Sequence, residues 1–154
     1  AILAILVGTA VPAYNNYVVR AKVTEGLAFL GASKSDIAEF QATQGRLPEN
    51  FEELGFGTAS GSAFGGDAGS FQDVFGVESE IWRQVEWQPK SGGWILVLRS
   101  KQKPLWDNID IGLHLQVKAE NGLIRFRCVV NDKPFRKAWV PPNCRQGGVN
   151  EWGW

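Results

Sequence analysis

The chain has 154 residues, with 16 Lys and Arg against 16 Asp and Glu, one His and two Cys. This length fits one domain, and an apolar content of 44% is enough for a buried core, which excludes a wholly disordered chain. Zero net charge argues against a dedicated nucleic-acid-binding protein. Two Cys and one His are too few for a four-cysteine zinc site or a His-rich metal site.

The charge is unevenly distributed along the chain. Residues 1–99 hold 7 basic and 11 acidic side chains, and residues 100–154 hold 9 basic and 5 acidic ones. Such asymmetry is typical of ordinary surface variation, and it also fits an electrostatic match between copies of the chain or a basic contact surface.

The N-terminal segment is apolar, and its first charged residue is Arg20. The uninterrupted apolar stretch is about half of a membrane span, and no basic residues precede it as in a secretory signal peptide. We therefore expect it to be the second half of a longer apolar helix whose start precedes Ala1.

A helical pattern continues beyond this segment. Apolar residues recur at steps of three, four and seven, as on one face of an α-helix, at Val19, Val23, Leu27, Leu30, Ile37 and Phe40. Gly45 followed by Pro48 predicts the end of the helix. Pro12 removes a backbone donor, so we expect a kink or local melting over residues 8–12.

A continuous helix over residues 1–44 would be about 66 Å long. A compact domain of this size has a radius of gyration near ~15 Å, so the helix must project from its own domain. We expect residues 1–19 to form the protruding apolar half, buried by lipid or by other copies, and residues 20–154 to form a globular head. Within the head, residues 20–45 are the amphipathic half of the helix.

Residues 46–79 are expected to connect the helix to a sheet. Their part from 55 to 70 contains six glycines and predicts a loop. No Gly-Lys-Ser or Gly-Lys-Thr follows these glycines, so a phosphate-binding loop is excluded. Four aromatic residues are expected to hold the loop against the head: Phe56, Phe64, Phe71 and Phe75.

Residues 80–131 read as a sheet. Two apolar runs at 81–87 and 94–98 flank a predicted hairpin loop at 89–93. Residues 109–118 alternate apolar and polar side chains, and Asn121 with Gly122 is a strong signal for a type I′ turn. The resulting register pairs Val117 with Phe126, and it places all apolar residues of both strands on one face.

The same register makes definite predictions about its other positions. Leu115 lies opposite Cys128 and Leu113 opposite Val130, while the other face pairs Lys118 with Arg125 and Gln116 with Arg127. That second face is expected to be solvated, with His114 at the surface.

Cys128 and Cys144 are expected to form a disulfide. It would enclose residues 128–144, a Pro-rich segment with too little apolar content for a core of its own, and stabilise the fold by about 3 kcal/mol. A disulfide implies an oxidising compartment. Two free thiols in a cytosolic protein are the alternative. The tail 145–154 ends with Trp152 and Trp154, which we expect to contact the head or a neighbouring copy.

The sequence holds no catalytic set, and we expect no enzymatic activity, no cofactor and no metal. Glu49, Glu52 and Glu53 lack a partner that would raise the pKa of one of them for acid–base chemistry. Asp67 and Asp73 are carboxylates that a Ca²⁺ site would use, but they are only two.

Two blocks at opposite ends of the chain resemble a bacterial type IV pilin of the IVa-like major type. They are residues 1–27, with Pro12-Ala-Tyr-x-x-Tyr17, and residues 122–128 together with 140–145. The resemblance implies an α+β fold, in which a long N-terminal α-helix packs on a four-stranded antiparallel sheet with a C-terminal disulfide-bounded loop. The cleavage glycine, methylated N-terminal residue and glutamate of that family would precede Ala1.

The resemblance also implies a function and its residues. The chain would be a structural subunit of a pilus for adhesion, twitching motility or DNA uptake. It would be held in the inner membrane before assembly, with itself, the prepilin peptidase, the assembly machinery and a host receptor as partners. The implied assembly helix comprises Ile2, Leu3, Ile5, Leu6, Val7, Gly8, Val11, Pro12, Tyr14 and Tyr17.

Two alternatives within this resemblance remain open. A competence or minor pilin would bind DNA directly, with phosphate contacts from Arg125, Arg127, Lys133, Arg136, Lys137 and Arg145. A secretion-system pseudopilin is the other alternative, and the C-terminal disulfide loop favours a pilin over it.

Overall fold

A computed structural model describes residues 2–57, 61–63, 65–101, 111–130, 137–146 and 148, with the backbone alone for 2–13, 15, 62 and 63. A long helix α1 (Ile2–Gln44) is followed by a short helix α2 (Phe71–Phe75) and by 3-10 turns at Glu52–Leu54 and Pro142–Cys144. The strands are β1 (Gly61–Ala63), β2 (Gly66–Ser70), β3 (Trp82–Lys90), β4 (Gly93–Ser100), β5 (Gly112–Glu120) and β6 (Leu123–Val130).

All described strands form one antiparallel sheet in chain order, from β1 to β6. The expected α+β fold is confirmed, and β3 to β6 are the four expected strands. The expectation of a plain loop over residues 55–70 is wrong, because part of this segment forms β1 and β2. These two strands extend the sheet along the free edge of β3.

Helix α1 is continuous through the proline and ends where the sequence predicts. Gly45 adopts a left-handed φ of 71°, and its N–H donates to the Gln41 carbonyl at 2.8 Å. Glycine adopts this conformation at less cost than residues with a Cβ atom. Residues 8–12 have helical backbone, so the expected local melting is wrong for the single chain. Within the described residues, no helix is both long and apolar enough to span a membrane.

The core lies between α1 and the inner face of the sheet. The helix contributes Val23 and Ile37, both fully buried. The sheet contributes a set of apolar side chains at alternate positions, which includes Val85, Trp87, Trp94, Leu96, Leu98, Leu113, Leu115, Val117 and Val130. One face of α1 thus packs against one face of the sheet.

The β5–β6 hairpin has the predicted register. Val117 pairs with Phe126, and Lys118 pairs with Arg125. Asn121 and Gly122 form the turn with φ of 53° and 78°, as a type I′ turn requires. The β3–β4 loop is shorter than the predicted 89–93, because Pro89 still pairs with Trp94.

Part of the outer face of the sheet is buried as well. Val97 and Val129 are 0% exposed there, and His114 is 8% exposed. The expectation of a surface histidine on a solvated face is therefore wrong. Glu86 is also buried on this face, where it forms an ion pair with Arg99. Sequence alternation shows which residues share a face, but it does not show whether that face is covered.

Candidate assembly site

Helix α1 enters the core of the head at Val19, which is 6% exposed. One turn earlier, Tyr14 and Tyr17 are 68% and 71% exposed. The helical backbone that precedes Val19 is about 25 Å long at the usual rise per residue. Of the predicted assembly helix, Tyr14 and Tyr17 therefore lie outside the core of the chain.

The other predicted members of the assembly helix lie within helical backbone, and their side chains lie outside the described ones. They are Ile2, Leu3, Ile5, Leu6, Val7, Gly8, Val11 and Pro12. The part these side chains play in assembly stays a prediction.

A glycine brings α1 close to the sheet at the start of β3. Gly26 lies against Trp82, whose indole ring is fully buried, and a methyl group on Gly26 would overlap that ring. Sequence reasoning missed this residue. Its only signal is a glycine inside a helical pattern, where glycine costs about 1 kcal/mol relative to alanine.

The disulfide-bounded loop is fixed to the head at several points. The Cys128–Cys144 disulfide is present, which confirms the prediction, and the alternative of two free thiols is wrong. Cys144 and Val140 are each 2% exposed. Arg145 Nε donates to the Val140 carbonyl at 2.9 Å and holds the end of the loop in place.

The same loop contacts α1 at the point where the helix leaves the head. Trp139 Nε1 donates to Asn16 Oδ1 at 3.1 Å, across 123 residues of sequence. Trp139 also packs against the core. The contact links the loop to the helix ahead of Val19, and nothing local in the sequence indicates it.

Four of the six predicted cations lie on β6 or the loop that follows it. Arg125 pairs with Glu120 at 3.5 Å, and Arg127 Nη2 donates to the Gln146 carbonyl at 3.4 Å. Lys137 is half-buried and Arg145 is exposed. The remaining two, Lys133 and Arg136, lie outside the described residues, as do Trp152 and Trp154.

One ion pair ties the end of α1 to the 3-10 turn that follows. Glu53 accepts from both terminal nitrogens of Arg46, at 2.9 and 2.6 Å, and from the Glu49 backbone N–H at 2.8 Å. These bonds, that of Arg46 first, lower the pKa of Glu53 to about 2. The pair is structural. Among the described residues, no group of three or more His, Cys, Asp or Glu side chains is placed to hold a metal ion.

Comparison of the sequence with known proteins shows which family the chain is similar to. A sequence profile of the pilins, described as forming a bacterial filament, matches residues 19–145. The chain is 27% identical over 128 residues to the type IV major pilin protein PilE1 of Neisseria gonorrhoeae, covering 83% of this chain and 62% of that protein. It is 37% identical over 60 residues to a fimbrial protein of Neisseria meningitidis serogroup B (strain ATCC BAA-335 / MC58), covering 39% of this chain and 35% of that protein.

The chain thus spans less than two thirds of the length of these curated relatives. The profile match begins at the residue where α1 enters the core and ends just after Cys144. It therefore covers the whole described sheet and the disulfide loop. Pilins are structural filament proteins and not enzymes. On this match the chain belongs to the pilin family of bacterial filament proteins.

Proposed function

We propose that the chain is a structural subunit of a type IV pilus filament. The observation that carries the proposal is where α1 enters the head. Among the described side chains of α1, Val19 is the first that is buried in the core, and the sequence before Arg20 holds no charge. An uncharged helix end outside its own core requires burial by other copies or by lipid.

Burial of this helix end supplies a driving force for assembly. Removing apolar surface from water yields about 25 cal/mol per Å². A helix end of one copy that packs among the helices of others is a head-to-tail contact. Such a contact repeats without closing and so builds a filament instead of a closed ring.

The relatives, which are named type IV major pilin and fimbrial protein, support a proposal for the setting of this filament. We propose a pilus on the cell surface, with the subunit held in the inner membrane before assembly. Its partners there would be a prepilin peptidase and a pilus assembly machinery. Adhesion to a host receptor, twitching motility and DNA uptake are the roles proposed for the finished filament.

The test places a charge in the apolar half of α1. Leu6→Asp should leave the head folded and abolish filaments, because an aspartate cannot be buried among apolar helices without a partner. Leu6→Ile, which keeps the apolar character, is the matched control and should assemble. Filaments sheared from cells are measured by electron microscopy and sedimentation. Normal polymerisation of the Leu6→Asp subunit would refute the proposal.

A second candidate function is direct DNA binding by a competence or minor pilin. The observation in its favour is that Arg125 and Arg127 lie on the edge strand β6. Arg127 Nη2 also donates to the carbonyl of Gln146, which follows Arg145 in the chain. Purified filaments should then bind duplex DNA with an affinity that falls with salt. The double change Arg136→Ala with Lys137→Ala should abolish that affinity. An affinity that neither salt nor this variant changes would reject the candidate.

A further inference from the structure

A cavity of about 750 Å³ opens at one end of the head. Three turns of the chain line most of it: residues 46–50 after α1, residues 65–67 at the β1–β2 turn and residues 92–94 at the β3–β4 turn. Its volume lies within the range of about 300–1,000 Å³ that is usual for small-molecule sites. Assembly through α1, as proposed above, makes no use of this cavity.

The cavity is remote from the point where α1 leaves the head. Helix α1 enters the core at Val19, and the cavity begins at Arg46, two residues after the helix ends at Gln44. The stretch of helix between these points is about 38 Å long. Burial of the apolar end of α1 among other copies therefore does not by itself cover the cavity.

Close backbone packing holds the walls of the cavity in place. Gly66 lies against the carbonyl oxygen of Trp87, and Gly93 lies against the carbonyl oxygen of Val117. A Cβ atom at either glycine would overlap that oxygen, so the strands approach this closely only because both residues lack one. The walls are therefore formed without a ligand, as in most small-molecule sites.

Two charged residues give the cavity hydrogen-bond donors and an acceptor. Three of the five N–H groups of Arg46 donate to Glu53 and to the Leu47 carbonyl, and the other two, on Nε and Nη2, make no bond with a described residue. Asp67 is half-buried, and its carboxylate has no partner among the described residues. Trp94 also lines the cavity, and its Nε1 is buried without an acceptor in the described part of the chain. A ligand oxygen that reached this N–H would satisfy it.

These groups favour a neutral ligand that carries hydroxyl groups. Glu53 balances the charge of Arg46, which leaves the carboxylates of Glu49 and Asp67 to repel an anion. An ammonium group supplies only donors, so it would leave the remaining N–H groups of Arg46 without acceptors. A hydroxyl both donates and accepts, so neighbouring hydroxyls can bind Asp67 and Arg46 together.

Apolar side chains complete the cavity. Trp87 and Trp94 stack with ring centroids 3.8 Å apart, and Leu47 and Pro89 line the cavity with them. A sugar ring combines apolar C–H groups with hydroxyls and so matches both kinds of lining. We propose that this cavity binds a neutral saccharide. The adhesive use of such a site rests on the proposed function, whereas the binding itself does not require assembly.

The test measures binding of neutral sugars to the full chain in a detergent without sugar head groups. The probes are the methyl glycosides of glucose, galactose, mannose and N-acetylglucosamine, followed by ¹H–¹⁵N NMR. At least one should give saturable shifts at Gly65, Gly92 and the indole of Trp94, while the indole of Trp139 stays in place. Asp67→Ala should weaken this binding about tenfold, because it removes a charge-assisted hydrogen bond.

Two controls separate loss of binding from damage to the fold. Asp73 is an exposed aspartate outside the cavity, so Asp73→Ala should bind as the wild type does. Thermal unfolding shows whether each variant is folded. Asp67→Asn keeps the shape of the side chain and removes its charge, and it replaces Asp67→Ala if that variant does not fold.

Specific outcomes would overturn the inference. Absence of saturable binding by all four glycosides would refute it, as would unchanged affinity of the folded Asp67 variants. Shifts confined to the disulfide-bounded loop would refute the site. Binding of cadaverine or of sialic acid, with no binding of the neutral glycosides, would show that the cavity takes a cation or an anion instead. None of these results bears on the subunit role, which Leu6→Asp tests separately.

Discussion

Replacing Gly26 by alanine tests how closely α1 approaches the sheet. Gly26 is buried against Trp82, an indole that is 1% exposed and therefore has little freedom to move. The added methyl group would overlap the six-membered part of this ring. Either the helix or the ring must shift, and both are held by the core.

The expected magnitude follows from two opposing effects. Overpacking in a core costs about 1–3 kcal/mol. Alanine in a helix is about 1 kcal/mol more favourable than glycine. Gly26→Ala should therefore lower the free energy of unfolding by up to about 2 kcal/mol. Gly31 is exposed in the same helix, and an added Cβ there meets no atom within 4 Å. Gly31→Ala should stabilise the head by about 1 kcal/mol.

The assay is equilibrium unfolding of the full chain in mild detergent, followed by tryptophan fluorescence and circular dichroism. Opposite signs for the two variants are the expected result. If Gly26→Ala stabilised the chain as much as Gly31→Ala does, α1 would lie farther from Trp82 than the structure places it, and the packing argument would be wrong.

Further predictions concern the loop, the ion pair and the filament. Cys144→Ser should lower the free energy of unfolding by about 3 kcal/mol from loop-closure entropy, and reduction of the wild type should give the same loss; an unchanged denaturation midpoint would contradict this. Glu53→Gln should remove part of the pH dependence of the free energy of unfolding, because the folded pKa of Glu53 is about 2 and the unfolded pKa is higher. The stabilisation by Glu53 is complete above the unfolded pKa of about 4.3 and is lost as pH falls toward 2, so the wild type should lose its advantage over Glu53→Gln in acid. In the assembled filament, residues 4–12 should be stretched or unwound, because Gly8 and Pro12 weaken helical hydrogen bonding there; a filament map with unbroken α-helix through these residues would disprove it.

Local patterns in the sequence were sufficient for the helix end, one hairpin and the disulfide. Gly45 ends α1 because glycine adopts the left-handed backbone at this position without the steric cost of a Cβ atom. Asn121 and Gly122 fix the β5–β6 register because two positive φ angles and a period of two leave one solution. These features depend on neighbours in sequence or on a single pairing.

Other features required contacts between distant parts of the chain. The glycine-rich segment has little intrinsic preference for strand. Strand β2 forms because it pairs with the backbone at the edge of β3. His114 is buried because the part of the outer face around it, with Val97 and Val129, is covered, which alternation alone cannot reveal.

The candidate assembly site also depends partly on local sequence and partly on tertiary contacts. The uncharged segment before Arg20 is visible in the sequence, but its separation from the core is defined by burial at Val19 and exposure at Tyr17. Composition and period thus determined what each segment is able to bury, while the tertiary structure decided which surfaces meet, because that depends on packing between residues far apart in the chain.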